Sequence, residues 1–558
     1  MAENLTYENI IELSTRLQAE WNTRNGEYDD NRQVVDGKIW GTSALPEAEN
    51  RYSIGVNYLL PIAQKHSQLL MGRLPGIQAM PMGTELQHRE HAEKLEGVLY
   101  SSWSLSEAQE VFQRVAWDSF VLRRGLVYYW WDPKKKRARF KYVTPDDFYP
   151  EYDGEEVYRC VYVHRRNIHA LRRQYPKFAK DISAGPASEV AHIYNQDTPF
   201  MNQTDFVTVT DYYDIEGNWV RIAGDLILDQ KKLGYPEPEV PFIEFPYQPT
   251  SGWREPPSGI DQLTELVRYL SQLISQKADV IRTYANPTII DEMSGQSVEE
   301  IRRAVSADGS VLPVARDGNI RFLNWDGTVP TIDEQITLVL DSIFDISGKP
   351  RSSFGQTITN QSGVVTNLAL TPTLQSNEAH ETIWGKRLSH LNRRLLQLTE
   401  KFGGERMLYR GTEPVGADHR NTRAIHLQFS GKEIGGWYEN RIKWPSAIRT
   451  DDPVYIQNII SRLTSDPPTL SIYTALEMFG HEDVEAEIDR ILEQKEDPRL
   501  SPETVAQNVG TALQAGPPGV PAGLLGAGET EGAAASEGGG ISGEALQAGA
   551  SPATEELA

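Results

Sequence analysis

The chain has 558 residues, 39% of them hydrophobic, and 78 acidic against 55 basic side chains leave a formal net charge of −23. That length leads us to expect roughly three or four globular units, and the charge excludes tight whole-surface nucleic-acid binding, which needs clustered Lys and Arg to neutralise phosphates. No apolar run approaches the roughly 18 residues of a membrane span, and a single cysteine, Cys160, excludes an internal disulfide.

The opening residues, MAENLTYENIIELS, carry neither a basic nor an apolar leader region, so no secretory signal is expected. Leu5, Ile10, Leu13, Leu17 and Trp21 recur at helical spacing and predict a helix from Leu5 to Asn25, followed by a polar, turn-rich linker through Gly41 and Pro46. A second helix is expected from Ile54 to Leu70, closed by a Gly/Pro break. One or two more should span Gln87 to Arg123, with Leu95, Leu99, Phe112, Val115 and Phe120 as core.

The period then changes to two. LVYYWWDPKKKRARFKYV reads as strand, turn, strand, with Asp132-Pro133 opening the turn. Its Lys134–Arg137 run is expected to be a solvated hairpin tip. Further strands are predicted near Val157–His164, Phe206–Tyr213, Trp219–Ile222 and Pro241–Phe245. Cys160 lies within the first of these and reads as a small buried residue.

Ser258, with Asp261 three residues on, resembles a capping box. Ile260, Leu263, Val267, Leu270, Ile274 and Ile281 then step by alternating threes and fours, with Lys277 the exception, until Asn286-Pro287 ends the run. Such a seam is narrow and suits a helix packed lengthwise on neighbours. A compact insert follows: a short helix at Ser297–Val305, then strands SVLPV and IRFLNW joined around Asp317-Gly318. Its hairpin residues are Val311, Leu312, Asp317, Gly318, Ile320 and Phe322. Ile332, Ile336, Leu340, Ile343 and Ile346 share one face of a return helix that Gly348 and Pro350 stop.

The next segment, SGKPRSSFGQTITNQSGVVTNLAL, is unusual for an acidic protein, because no Asp or Glu occurs between Asp345 and Glu378. From Val364 a long helix is predicted to about Phe402, weakly interrupted at Pro372. Period-two patterning returns from Ala424 to Ile448, and Asp451–Lys495 reads as helical. Beyond about Ala512 the chain is rich in Gly, Ala and Pro, and a flexible tail is expected.

Signatures of catalysis are lacking. Gly348-Lys349 is followed by Pro350 and has no upstream glycine at phosphate-loop spacing, and neither a GxGxxG turn, a GxSxG elbow nor an HExxH helix occurs. His88 and His91 read as a solvated helix face, and the pairs Asp146-Asp147, Asp451-Asp452 and Glu482-Asp483 as helix starts or turns, where carboxylates complement the dipole. No catalytic residue, metal or cofactor is expected.

The order of elements resembles the portal, or head-to-tail connector, proteins of tailed bacteriophages, and DGNIRFLNWDGTVP…ISGKPRSSFG…SGVVTNLAL is similar to that family's passage from clip to stem to loop. The resemblance implies an α+β subunit with an α/β wing, two-helix stem, small αββ clip, long helix and helical crown. Its divisions would be an N-terminal helix and linker at the wing periphery (1–50), wing (51–256), first stem helix (257–285), clip (286–330), second stem helix (331–347), tunnel loop (348–362), long helix and return strands (363–450), crown (451–500) and flexible tail (501–558).

A ring of about twelve subunits is implied, at one capsid vertex of a virion assembled in the host cytoplasm, through which double-stranded DNA is packaged and ejected. Partners would be weakly and non-specifically bound DNA in the channel, the terminase large subunit, a head-to-tail adaptor, and the major capsid protein and scaffold, with no membrane. Stem packing would fall to Ile260, Leu263, Val267, Leu270, Ile274, Ile281, Ile336, Leu340 and Ile343. Lys349, Arg351, Gln356, Thr357, Thr359, Asn360 and Gln361 would face DNA from the tunnel loop. The alternatives are another structural virion protein, such as a scaffold or tail component, and a carboxylate-dependent nuclease or hydrolase.

Overall fold

The computed structural model describes residues 6–39, 53–154, 156–183, 206–249, 255–285, 289–292, 297–306, 319–322, 329–349, 351–354, 363–415, 419, 421–445, 453–463, and a few residues between 470 and 492. The chain divides into a unit from Met1 to Val484 and a second from Glu485 to Ala558. In the second unit, Ile488, Ile491 and Leu492 are the described residues, and all are helical. The larger unit mixes helix and sheet, an α+β chain.

Helix α1 (Tyr7–Glu20) starts at Thr6, whose hydroxyl accepts from the Asn9 amide, and stops at Trp21. A second helix, α2 (Asn22–Val35), occupies the first part of the expected linker, whose later part, from residue 40, lies outside the described residues. Its sequence is too polar to show a strong stripe, but Tyr28, Val34 and Val35 are fully buried. Arg32 ties it to Asp146 at 2.9 Å, on a 3-10 turn at Pro145–Asp147. Tertiary contacts, more than local propensity, make this segment helical.

Helices α3 (Leu59–Met71), α4 (Leu86–Leu105) and α5 (Ala108–Val121) follow, with strand β1 (Gly76–Ala79) after α3. Strands β2 (Arg124–Asp132) and β3 (Arg137–Val143) form the expected hairpin; Asp132 accepts from the Lys134 and Lys135 amides at its turn. The tip is solvated, with residues 133–136 exposed; Lys136 pairs with Glu405 at the surface and Arg137 lies over the Tyr409 ring. Strand β9 (Phe242–Pro246) completes a three-stranded sheet in the order β3-β2-β9.

A second sheet is an antiparallel meander of β4 (Phe148–Asp153), β5 (Glu156–Asn167), β6 (Phe206–Asp214), β7 (Asn218–Ala223) and β8 (Leu226–Lys232). Strands β4 and β8, its two edges, are not among the expected strands. Phe148, Cys160, Tyr213 and Trp219 pack with Leu126 and Phe242 of the first sheet, so Cys160 is buried. Ile10, Leu13 and Leu17 of α1 cover Val161, Tyr212, Val220 and Ile222 on the opposite face. Between β5 and β6 lies helix α6 (Ile168–Gln174).

The central core forms where helix α10 (Gly363–Phe402, 40 residues, about 60 Å at helical rise) crosses α4, α5 and the three-stranded sheet. Trp384, Leu388, Leu391 and Leu395 are its buried stripe. The buried Trp103 indole donates to Asn392 Oδ1 at 2.9 Å, satisfying a polar atom that burial would otherwise penalise. The helix runs through Pro372 without interruption. Strands β12 (Arg406–Val415) and β13 (Asn421–Ser430) form a hairpin, and β14 (Asn440–Lys443) pairs with β1; β12 is not among the expected strands. Helix α11 (Pro453–Leu463) lies in the expected crown, and the expected tail lies outside the described residues.

Candidate functional site

Helix α7 (Asp261–Ala285) begins with reciprocal bonds: the Ser258 amide donates to Asp261 Oδ2 at 3.0 Å and the Asp261 amide to Ser258 Oγ at 3.0 Å. Just ahead of it, the Gly259 amide donates to the Phe120 carbonyl at 2.8 Å. A Cβ on Gly259 would stand 2.2 Å from the Phe120 ring, so the chain approaches α5 there only because the side chain is missing.

Helix α9 (Val329–Ile346) runs back along α7. Its distal end is tied by Lys277 to Asp333, while Lys349, just past its other end, meets the same Phe120 that Gly259 touches. The two helices are therefore antiparallel. Ile260, Leu263, Val267, Leu270 and Ile343 are fully buried, packed with Leu59, Ile62 and Ala63 of α3. Ile274, Ile336 and Leu340 are half-buried against this cluster.

Two members of the expected seams are not covered by their own chain: Ile281 is 53% and Ile346 50% exposed. Tyr269 and Leu338 are exposed as well. On the inner side, Ser271 and Ser275 accept from the Val56 and Ile54 amides at 3.1 and 2.9 Å. An extended segment thus lies along α7 where small hydroxyl residues admit it, a contact that the apolar pattern alone could not announce.

Beyond α7, strand β10 (Ile289–Glu292) pairs antiparallel with β11 (Asn319–Phe322), Asp291 opposite Ile320 and Ile289 opposite Phe322. Helix α8 (Val298–Ser306) lies between them in the chain. The sequence pattern makes SVLPV the partner of IRFLNW and does not reveal β10. Val311, Leu312, Asp317 and Gly318 lie outside the described residues.

At the C-terminal end of α9, Gly348 adopts φ +64°, the left-handed stop that glycine favours. Lys349 then turns inward. It is 5% exposed, its Nζ is 3.3 Å from the Ser347 carbonyl and 5.0 Å from the Phe120 ring centre. Burial lowers its pKa to about 8. Around Phe120 stand three more rings. His66 from α3 stacks on Phe120 at 4.8 Å and meets His380 of α10 edge-on at 5.0 Å. Tyr247 stacks on His380 at 4.7 Å, and His380 Nδ1 donates to the Tyr247 carbonyl at 3.0 Å. Burial, then the nearby Lys349 charge, holds both imidazoles below their ordinary range, His380 at about 4. They are neutral at pH 7, so Lys349 is the cation of this box.

Arg351 lies in a 3-10 turn (Arg351–Phe354) and pairs with Asp341 of α9 at 2.9 Å. Its guanidinium is 5.5 Å from the Phe344 ring centre, and Phe354 meets that ring edge-on. Of the two basic residues expected to face DNA, Lys349 is buried in the single chain and Arg351 is paired with Asp341. Gln356, Thr357, Thr359, Asn360 and Gln361 lie outside the described residues.

The model of the phage portal protein family, SPP1 Gp6-like, matches residues 15–498. The chain belongs to the phage portal protein family. The match spans both sheets, the α7–α9 pair and α10, and the family is structural rather than enzymatic. No curated protein matches the chain. Among the described residues of this portal-family chain, no helix is long and apolar enough to cross a membrane, and no His, Cys, Asp and Glu group could hold a metal ion.

Proposed function

We propose that the protein is the portal of a tailed phage: a ring of about twelve copies at one capsid vertex, with a channel through which double-stranded DNA is packaged and later ejected. The observation that carries this reading is the family match over residues 15–498. Helices α7 and α9 serve as the stem, 286–330 as the clip on which terminase and the adaptor dock, the two sheets as the wing that the capsid shell grips, and α11 as part of the crown.

The packing supports a ring. Tyr269, Ile281, Leu338 and Ile346 are apolar residues on the stem that one copy leaves exposed, and in a closed head-to-tail ring the neighbouring copy covers them. A net charge of −23 on each subunit leaves few phosphate-neutralising contacts, so DNA slides. Gln356, Thr357, Thr359, Asn360 and Gln361 form the DNA-facing part of the tunnel loop; Lys349 and Arg351 instead anchor its root to the stem. A separate terminase ATPase drives DNA movement.

Capsids assembled with and without this protein test the reading. Shells made without it are expected to remain empty of genome, and those made with it to fill. Filled particles in its absence would contradict it.

A further inference from the structure

The segment 157–180 also lacks carboxylates, while it carries Arg159, Arg165, Arg166, Arg172, Arg173, Lys177 and Lys180. Past strand β5 it folds as a small lobe, from Ile168 to Ser183. Asn167 caps α6 by accepting from the His169 and Ala170 amides at 2.9 and 3.2 Å. A 3-10 turn at Pro176–Phe178 follows, and Arg172 Nη2 closes the lobe onto the Ile182 carbonyl at 2.6 Å. Ile168, Leu171 and Ile182 are buried with Val207 and Val209, and Tyr175 and Phe178 pack against them. With the apolar side turned inward, Arg173, Lys177 and Lys180 are left exposed.

On the adjoining sheet, Arg159 is matched by Glu151 and Arg221 by Asp211. Among the described residues, no ion pair engages Arg173, Lys177 or Lys180, and Asp181 is the carboxylate that follows in the chain. From Ile168 to Ser183 the exposed residues are His169, Ala170, Gln174, Pro176, Asp181 and Ser183 beside the three cations, with no large apolar side chain among them. A protein interface is anchored by buried aromatic or aliphatic residues, whereas phosphate needs only fixed cations.

We propose that this lobe of the wing is a second, sequence-independent DNA-binding surface, which holds duplex phosphates outside the channel. The inference rests on the portal reading only for the identity of the polyanion.

The test uses the full-length protein, a short labelled DNA duplex and a salt titration. Arg173→Gln/Lys177→Gln/Lys180→Gln is compared with a charge-matched control at exposed lysines elsewhere, Lys134→Gln/Lys135→Gln/Lys432→Gln. The lobe variant is expected to bind about tenfold or more weakly at low salt, with the slope of log K against log salt reduced by about 0.9 per cation removed. The control is expected to match the parent protein, and both variants its thermal midpoint. Equal losses in the two variants, or none in either, would overturn the proposal. So would unchanged DNA binding with lost attachment to capsid shells, which would make the lobe a protein contact. Sedimentation of the same samples reports ring formation separately: rings without a lobe-specific loss refute this inference alone, while binding without rings counts against the portal reading instead.

Discussion

The Lys349 ammonium lies 5.0 Å from the centre of the Phe120 ring, sealed in by residues of α3, α5, α9 and α10. The root of an otherwise polar loop is thus fixed by a buried cation. With its pKa lowered from 10.5 to about 8, the folded protein gives up this proton before the unfolded chain does. Stability therefore rises with pH from about 8 to 10.5. We predict that Lys349→Met removes this rise and is the more stable protein at pH 7, by up to about 3 kcal/mol. Urea denaturation across that range checks it; parallel curves for the two proteins would refute it.

His380 supplies the acid-side counterpart. Its imidazole is held neutral down to about pH 4, whereas the unfolded residue takes up its proton near 6.5. Stability is therefore lost as pH falls from about 6.5 towards 4. His380→Gln keeps an N–H donor for the Tyr247 carbonyl and does not titrate, so its acid-side loss should be the shallower, read by thermal melts at pH 4 to 7.

Gly259→Ala places a methyl group where the Phe120 ring stands 2.2 Å away. Overpacking of this kind costs about 1–3 kcal/mol. A Cβ at Gly404 would meet nothing within 4 Å, so Gly404→Ala is the matched control and should be close to neutral. Equal melting points for the two variants would count against the close approach of α7 to α5.

Leu270 and Ile281 lie on the same helix but differ in what covers them, the first fully buried and the second 53% exposed. Leu270→Ala is expected to cost about 2–5 kcal/mol, and Leu270→Asp to disrupt the stem. Ile281→Asp should leave the stability of the single chain within about 0.5 kcal/mol yet impair ring formation, because in the proposed ring the neighbouring copy would cover it. Sedimentation beside thermal melts separates these effects, and normal rings from Ile281→Asp would remove that residue from the subunit interface.

Helix α7 is legible in the sequence because its information is local: a cap at Ser258 and a seam of Ile260, Leu263, Val267 and Leu270 that one periodicity describes. Helix α2 is not, since Tyr28 and Val34 are too sparse to form a stripe and gain their burial from distant elements. The placement of Lys349 is the least legible. Lysine composition points to solvent, and only the convergence of His66, Phe120, Tyr247 and His380 from separate parts of the chain turns it inward. Strand β10 is hidden for a related reason: a four-residue strand carries too few alternations to register, and its pairing with β11 spans the whole insert.

The most direct test of the central claim is negative-stain imaging of the purified protein. Closed rings with a central hole and symmetry near twelvefold are the predicted result. A protein that remains monomeric at every concentration would contradict it.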